Sequence, residues 1–180
     1  MDGAACTSRW GERLSIEQLP DPADFVTFTP FIRGVFSQWH ATPFSIGERH
    51  FATAEQWMMV AKAELFGDAP RAAAILATAD PSEQKRHGQL VEGFRQDVWD
   101  EWKVTIVYAG NLAKFRQNRG AGRQLRATMP AMLVEANARD WIWGIGLTVD
   151  DPAARDPTQW RGSNLLGRIL TKVRADIPSA

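Results

Sequence analysis

Cysteine is almost absent from this chain of 180 residues: Cys6 is the single one, so no disulfide can form within the chain. A lack of disulfides is typical of proteins in a reducing compartment, which predicts a cytoplasmic location. The sequence also lacks an apolar run of 18 residues, and its first twenty residues lack the apolar core of a signal peptide. We therefore expect a protein that is neither exported nor bound to a membrane.

An excess of charge of either sign is also missing. Lysine and arginine together number 21, as do aspartate and glutamate, so the formal net charge is zero. A protein that binds nucleic acids or membrane surfaces in general is usually strongly basic. The charge balance therefore gives no support to either function.

Metal ligands and cofactor motifs are missing as well. The three histidines, His40, His50 and His87, have no ligand spacing to one another, which argues against a zinc site. No Walker or Rossmann glycine motif is present, and the WGIG sequence at residues 143–146 is too short to count as one. The sequence therefore predicts neither a metal nor a cofactor.

Tryptophan, by contrast, is abundant: the chain has eight, against one tyrosine, Tyr108. Trp57 and Trp102 fall on apolar faces of predicted helices, where we expect them in the core. Other tryptophans could form a stacking surface for a planar ligand. Both interpretations stay open for Trp99, which opens a long amphipathic helix.

Periodicity and turn residues predict a mainly helical α+β domain with a few short strands. We expect residues 1–24 to be a polar, proline-containing extension and residues 25–178 to be the single domain. The predicted helices cover residues 53–66, 71–78, 81–87, 95–118 and 164–176, with Gly120 and Gly122 breaking helical structure after the long helix. The predicted strands or extended segments cover residues 25–28, 44–51, 132–136 and 141–145, and residues 150–160 are predicted as a loop.

The helix at residues 53–66 carries two ionisable groups on an otherwise apolar flank. Thr53 and Gln56 match a capping box at its start. Glu55 and Lys62 are seven residues apart, which places them about 20° from each other around the helix axis. They could lie on a surface shoulder, where a lysine reaches solvent and a glutamate favours the helix N-terminus. They could instead line a site, where burial would raise the pKa of the glutamate and lower that of the lysine.

Seven blocks of sequence occur in an order that resembles the YbiA-like, or NADAR, family. They are FSQW (36–39), TAEQWMMVAKAELF (53–66), KRHGQLVEGF (85–94), VWDEWK (98–103), KFRQN (114–118), ARDWIWGIGL (138–147) and W-x-G-x-N-L-L-G (160–167). The blocks span nearly the whole predicted domain. Each is weak alone, but their joint order and spacing are specific.

The resemblance implies a single YbiA-like domain that cleaves the N-glycosidic bond of a ribose phosphate. Members of the family are described as N-glycosidases that act on ribosylamino-pyrimidine phosphates of riboflavin biosynthesis or remove ADP-ribose from guanine bases. Carried onto this chain, it implies Glu55, Lys62 and Asp140 as catalytic residues. The implied substrate-binding residues are Phe36, Ser37, Trp39, Trp99, Trp143, Gly144, Gly146 and Asn164. Where some members have Ser-Glu-His, this chain has Ala54-Glu55-Gln56, which removes a neighbouring histidine.

Simple accounts exist for two of these features. Asp140 could cap a turn before Trp141, or its carboxylate could accept hydrogen bonds from ribose hydroxyls. The glycines at 144 and 146 could form a plain turn or let backbone amides approach a phosphate. Residues 103–126 contain six basic and no acidic side chains, which predicts either a solvated helix face or a positive rim for a phosphorylated substrate.

Three functional classes follow. In an N-glycosidase, Glu55 would stabilise the positive charge that develops on the sugar. Lys62 would bind phosphate, protonate the base, or attack the anomeric carbon and form an imine. The second class is a reader that binds ADP-ribose or NAD without cutting it, and the third is a structural protein with no pocket. The expected ligand is a small nucleotide or an ADP-ribosylated nucleic-acid base, and the sequence does not indicate an oligomeric state.

Overall fold

The computed structural model describes residues 9–178, so Cys6 and the start of the predicted extension lie outside the described part. Within it the chain forms six α-helices and four short strands. The helices are α1 Ala54–Leu65, α2 Ala69–Leu76, α3 Pro81–Gln89, α4 Gln96–Gln117, α5 Arg119–Arg126 and α6 Leu165–Asp176. The strands are β1 Phe28–Phe31, β2 Phe44–Ile46, β3 Arg49–Phe51 and β4 Met132–Glu135. The predicted class, a mainly helical α+β domain, is confirmed.

Helix α1 begins where the sequence predicts. The Thr53 side chain accepts a hydrogen bond from the Gln56 amide at 3.0 Å, which satisfies an otherwise free N–H of the first turn. The reciprocal bond differs from a capping box, because the Gln56 side chain accepts from the amide of Ala52, at 2.7 Å. Thr53 also donates to the Gln84 side chain at 2.7 Å. This bond fixes the start of α1 against α3.

Trp57 connects α1 to the long helix α4. Its indole N–H donates to the Ile106 carbonyl at 2.7 Å, and the side chain is 2% exposed. Gly110 makes this close approach possible, since a Cβ there would lie 2.1 Å from Trp57 Cδ1. The predicted core position of Trp57 is confirmed, and Trp102 packs at the edge of the core with its ring 5.6 Å from that of Trp10.

Strands β1 and β4 pair in parallel, with α6 packed against β4. The register places Phe28 opposite Met132 and Phe31 opposite Glu135. Because the strands are parallel, their carboxyl ends lie at the same edge of the sheet. In open α/β folds, ligands bind at this edge. The loops after Phe31 and after Glu135 therefore start side by side. Strands β2 and β3 form a separate antiparallel hairpin around Gly47, whose φ is +59°.

The described part of the predicted extension packs against the domain. Leu14 and Leu19 are buried in the main core cluster. Arg168 of α6 donates to the carbonyls of Pro20, at 2.9 Å, and Ile16, at 3.1 Å. These bonds hold residues 16–20 against the outer face of α6.

Several predicted elements differ from those observed. The first strand begins at Phe28 and not at residue 25, because Pro22–Asp24 form a turn of 3-10 helix. The prediction that Gly120 and Gly122 break helical structure is wrong, since α5 runs through both. The chain bends at Asn118 instead. A Cβ on Gly122 would lie 2.8 Å from the Phe115 carbonyl, so glycine here allows α5 to fold back closely on α4.

The predicted extended segment at residues 141–145 is a series of bends. Its carbonyls bond to the start of α6 and not to a neighbouring strand: those of Trp141, Ile142, Trp143 and Gly144 accept from the amides of residues 163, 165, 166 and 164, respectively. The predicted loop at residues 150–160 contains two short 3-10 helices, Pro152–Arg155 and Pro157–Gln159. No helix within residues 9–178 has the length and hydrophobicity that crossing a bilayer requires.

Candidate active site

A cavity of about 810 Å³ opens between α1, α3, the start of α4 and the two loops that leave the β1–β4 pair. Cavities of this size hold nucleotide-sized ligands. The side chains of α1 that line it are Glu55, Met58, Met59 and Lys62. The other lining residues are Ile32, Arg33, Gly34, Ser37, Gln38, Trp39, His40, Lys85, Gln89, Trp99, Glu135, Asn137, Arg139, Asp140, Trp143 and Leu166.

The structure brings seven of the residues implied by the resemblance to this one cavity: Ser37, Trp39, Glu55, Lys62, Trp99, Asp140 and Trp143. They come from four separate segments of the chain. Of the two interpretations of the α1 flank, the structure shows the cavity wall and not the exposed shoulder.

Four other implied residues do not line the cavity and lie behind it. Phe36 packs its ring 5.6 Å from that of Phe31. Gly146 has a φ of +71°, a conformation that favours glycine, and Gly144 packs against the backbone of Glu135, where a Cβ would lie 2.8 Å from its carbonyl oxygen. Asn164 is fully buried, donates to the Leu133 carbonyl at 3.0 Å and accepts from the Glu135 amide at 2.9 Å. Gly144 and Asn164 thus hold the end of β4.

Glu55 is 4% exposed. Burial raises the pKa of its carboxyl to about 7, while Lys85, a hydrogen bond from the Trp39 side chain and Lys62 act in the opposite direction. Its backbone amide donates to the Gln38 carbonyl at 3.0 Å, which ties α1 to the loop after β1. Glu55 is therefore a carboxyl that can exchange its proton near neutral pH.

Lys62 lies about two turns further along α1 and lines the same wall of the cavity. Its Nζ donates to the Gly88 carbonyl at 2.9 Å and lies 4.3 Å from the centre of the Phe94 ring. Gly88 lets α3 approach this closely, since a Cβ there would lie 1.9 Å from the sulfur of Met59. Burial lowers the pKa of Lys62, and Glu55 opposes that shift. Both pKa shifts have the directions that a cavity wall predicts.

Asp140 has one oxygen engaged and one free. Its Oδ1 accepts the amides of Ile142, at 3.0 Å, and Trp143, at 2.8 Å, so the turn-capping account holds for that atom. Its Oδ2 makes no hydrogen bond to any residue between 9 and 178. This second oxygen remains able to accept hydrogen bonds from a ligand.

Glu135 is a cavity carboxyl that the sequence analysis missed. Its Oε2 is buried and has no hydrogen-bond partner among the described residues. Burial, together with the charges of Asp140 and Glu55, raises the pKa of Glu135 to about 8, while the charge of Lys85 opposes this shift. The signal was present in the sequence: a single carboxylate ends the apolar strand MLVE, directly before the loop that carries Asp140.

The positive rim comes from residues other than those in the basic stretch at 103–126. Arg33 and Arg139 line the cavity with exposed side chains, and their guanidinium groups make no hydrogen bond or ion pair within residues 9–178. Lys85 also lines it, with its Nζ 5.9 Å from the centre of the Trp39 ring. Arg33, Lys85 and Arg139 thus form a positively charged rim of the cavity.

The expectation of a solvated face at residues 103–126 is wrong for Lys103 and Lys114, which are both buried. The Nζ of Lys114 donates to the Ser37 carbonyl at 3.0 Å. Burial lowers the pKa of Lys114 to about 7. The amide of Asn111 donates to the Gln38 side chain at 3.0 Å from the same face of α4. Both bonds hold the loop that carries Trp39, while Arg116, Arg119 and Arg123 are exposed as expected.

Within residues 9–178, no group of three or more histidine, cysteine, aspartate or glutamate side chains has a geometry suited to a metal ion. The side chains that line the cavity offer carboxyl, amine, guanidinium, imidazole and indole groups.

The raised pKa of Glu135 predicts a pH-dependent gain in stability for Glu135→Gln. The folded state binds the Glu135 proton more tightly than the unfolded state, so protonation stabilises the fold. This stabilisation is complete below the unfolded pKa of 4.5 and is lost as the pH rises towards 8. Glutamine has no charge to lose, so at pH 8.5 the variant should be more stable than the wild type by roughly 1–3 kcal/mol.

Thermal unfolding at pH 5.0 and pH 8.5 measures this difference. The control is Glu48→Gln, which changes an exposed carboxylate in the β2–β3 turn and should be neutral at both pH values. An equal shift in Tm for Glu135→Gln at the two pH values would show that Glu135 titrates as an ordinary surface carboxylate.

Comparison with known proteins decides the family. Residues 25–178 match the NADAR domain. The chain belongs to the NADAR family. It is 38% identical over 147 residues to the N-glycosidase R617 of Acanthamoeba polyphaga mimivirus, which covers 79% of this chain and 86% of that protein. It is 29% identical over 107 residues to the riboflavin biosynthesis protein PYRR of Zea mays, which covers 57% of this chain but 15% of that protein.

The fold has a solved counterpart within the family. The NMR structure of Escherichia coli YbiA superposes with a TM-score of 0.68 at 26% identity and covers 83% of each chain. YbiA of this organism is named an N-glycosidase. The single YbiA-like domain implied by the resemblance is confirmed.

Proposed function

We propose that this NADAR protein is an N-glycosidase that hydrolyses the bond between a base nitrogen and the anomeric carbon of a ribose phosphate. The observation that carries the proposal is Glu55, a buried carboxyl that lines a nucleotide-sized cavity together with Lys62 of the same helix. The names of two relatives, each matched over most of this chain, support the same reaction.

The reaction needs an anion near the sugar. Breaking a C–N glycosidic bond leaves positive charge on the ribose, as in the oxocarbenium-like transition states of other glycosidases. A carboxylate held in a cavity of low dielectric stabilises that charge more than it would in water. Glu55 takes this role, and can also accept a proton from the attacking water.

The remaining cavity groups divide by chemistry into three sets. Trp39, Trp99 and Trp143 offer aromatic faces on which a base can stack. The free oxygen of Asp140 accepts hydrogen bonds from the ribose hydroxyls. The unpaired guanidinium groups of Arg33 and Arg139, together with Lys85, bind the phosphate. The ribose then lies between the rim and the base, next to Glu55.

Lys62 acts either without or with a covalent bond to the sugar. Without one, its amine binds the substrate directly or protonates the base. It can instead attack the anomeric carbon and form an imine with the opened ribose, for which its lowered pKa makes the neutral amine more available. Trapping with borohydride separates the two roles.

Three substrates fit this proposal: a ribosylamino-pyrimidine phosphate of riboflavin biosynthesis, ADP-ribosylated guanine, and NAD. Each combines a base, a ribose and at least one phosphate. The match to the riboflavin biosynthesis protein of Zea mays supports the first of them. The second candidate function is a reader of ADP-ribose, favoured by the aromatic lining alone.

Incubation with each of the three compounds, followed by mass analysis for a free base, tests the proposal. An N-glycosidase releases base from at least one of them with multiple turnovers. Tight binding of ADP-ribose without release of base from any of the three would favour the reader.

Trp143→Ala should weaken ligand binding more than it lowers stability. Trp143 is half-buried and lines the cavity, whereas Trp57 is buried in the core. Loss of a stacked base costs ~1–3 kcal/mol, or about 5–150-fold in Kd. Emptying a core tryptophan site costs ~3–5 kcal/mol of stability, which we expect for the control, Trp57→Ala.

Isothermal titration with ADP-ribose and thermal unfolding of both variants check this expectation. A large fall in Tm for Trp143→Ala, with an unchanged Kd of the folded protein, would make Trp143 a core residue.

A further inference from the structure

We propose that Glu135 is the proton donor of the reaction, because its carboxyl lines the cavity at the end of β4 with a buried oxygen that no described residue satisfies. This inference rests on the proposed N-glycosidase function and extends it to the residue that protonates the leaving base. Buried polar atoms in proteins nearly always have a partner. Glu135 lines the cavity, but no donor among the described residues stabilises a negative charge on its buried oxygen, so the fold favours the protonated carboxyl, which can donate a proton to a ligand.

The backbone of Glu135 is held on both sides. Its amide donates to the side chain of Asn164 at 2.9 Å. Its carbonyl accepts from the amides of Ile145, at 2.9 Å, and Asn137, at 3.0 Å. Gly144 closes the packing against the same carbonyl. The side chain thus starts from a fixed point of the sheet, as a catalytic group must.

The surroundings of Glu135 favour its protonated form. The charged and titratable groups that line the cavity with it are Arg33 and His40 after β1, Glu55 and Lys62 on α1, Lys85 on α3, and Arg139 and Asp140 after β4. Burial and the charges of two carboxylates, Asp140 and Glu55, raise the pKa of Glu135 to about 8. A protonated carboxyl is a hydrogen-bond donor, which an ionised carboxylate is not.

Glu55 differs from Glu135 in the groups that favour its ionised form. The Trp39 side chain donates a hydrogen bond to Glu55, and Lys62 and Lys85 both stabilise its charge. For Glu135, Lys85 is the one group that acts in this direction. The groups around Glu55 thus stabilise its anion, whereas the buried oxygen of Glu135 has no donor within residues 9–178 to stabilise a charge. We therefore assign Glu55 as the anion and Glu135 as the acid.

The step balances with water as the nucleophile. The C1′–N bond breaks, and the O–H proton of Glu135 passes to the departing nitrogen. A water oxygen bonds to C1′ and gives one proton to the Glu55 carboxylate. Solvent then returns a proton to Glu135 and removes one from Glu55. With Lys62 as the nucleophile, its Nζ bonds to C1′ and gives a proton to Glu55. Water then hydrolyses the imine between Lys62 and the opened sugar, which releases the sugar and restores the amine.

This role predicts which bases the enzyme releases with the help of Glu135. A neutral amino or imino nitrogen, as in a ribosylamino-pyrimidine phosphate, needs a proton to leave. The pyridinium nitrogen of NAD leaves as neutral nicotinamide and needs none. The two substrates therefore differ in their dependence on Glu135.

The rate of base release from a ribosylamino-pyrimidine phosphate, measured from pH 5.5 to 9.5, tests the proposal. For the wild type we expect a bell-shaped profile, rising as Glu55 ionises near pH 7 and falling as Glu135 loses its proton near pH 8. Glu135→Gln should lower the maximal rate by about 10²–10⁴-fold and abolish the alkaline fall in the residual rate. The control Glu48→Gln should keep both the rate and the profile.

A Glu135→Gln variant that keeps the alkaline fall, or loses less than about tenfold in rate, would reduce Glu135 to a structural residue. If the variant does not fold, as judged by near-ultraviolet circular dichroism, the wild type alone decides. An alkaline fall with the pyrimidine substrate that is absent with NAD supports the proposal, and the same profile with both substrates overturns it. Failure of the wild type to release base from any of the three compounds would instead refute the N-glycosidase function itself.

Discussion

Glu55→Gln is expected to lower the rate of base release by about 10³-fold or more while leaving the fold intact. Glutamine keeps the shape of the side chain and removes the charge that stabilises the sugar. Groups that stabilise developing charge contribute several kcal/mol to the barrier, and each ~1.4 kcal/mol is a factor of ten in rate. The rate at saturating substrate and the Tm, both measured at pH 8, check the result.

Glu64→Gln is the matched control for this variant. Glu64 lies on the same helix, but its carboxylate pairs with Arg49 at 2.6 Å and does not line the cavity. Its replacement should leave the rate unchanged and cost a little stability. Similar rates for Glu55→Gln and the wild type would show that Glu55 has no catalytic role and that α1 is a core helix with polar residues on its flank.

The second large effect is expected for Lys62→Ala, which should reduce base release by at least about 10². Lys62→Met removes the same amine, which lies over the Phe94 ring, but keeps an aliphatic side chain. If Lys62 forms an imine, borohydride added during turnover should leave a sugar adduct on Lys62 of the wild type and none on Lys62→Met. The adduct is identified by peptide mass analysis.

Lys172→Ala serves as the control, since this lysine pairs with Asp176 on α6 and lies outside the cavity. Loss of turnover without an adduct would make Lys62 a binding or proton-donating group. Near-wild-type turnover of both Lys62 variants would remove the residue from the site.

Local signals were sufficient for α1 and for its two ionisable groups. Thr53 provides an N-cap, and the seven-residue spacing of Glu55 and Lys62 follows from helix geometry alone. Whether that flank faces solvent or a cavity depends on α3 and the loops of the sheet, which are distant in sequence. The ordered blocks of the family, and not periodicity, were what joined Glu55 to Asp140.

Glu135, Lys114 and Gly122 show what local patterns miss. Glu135 reaches the cavity because β4 pairs in parallel with β1, a contact between segments a hundred residues apart. Lys114 is buried because its amine bonds a loop carbonyl, whereas composition alone predicts a solvated face. Gly122 allows a close contact between α5 and the end of α4, although a glycine in a sequence more often indicates the end of a helix.

A single-turnover experiment tests the N-glycosidase function most directly. Enzyme in excess is mixed with a ribosylamino-pyrimidine phosphate, with ADP-ribosylated guanine or with NAD, and the products are identified by mass. We predict that at least one substrate is converted completely to free base and a ribose phosphate or ADP-ribose, whose summed mass exceeds that of the substrate by one water. Recovery of all three compounds intact after binding would contradict the account and leave a protein that binds its ligand without cutting it.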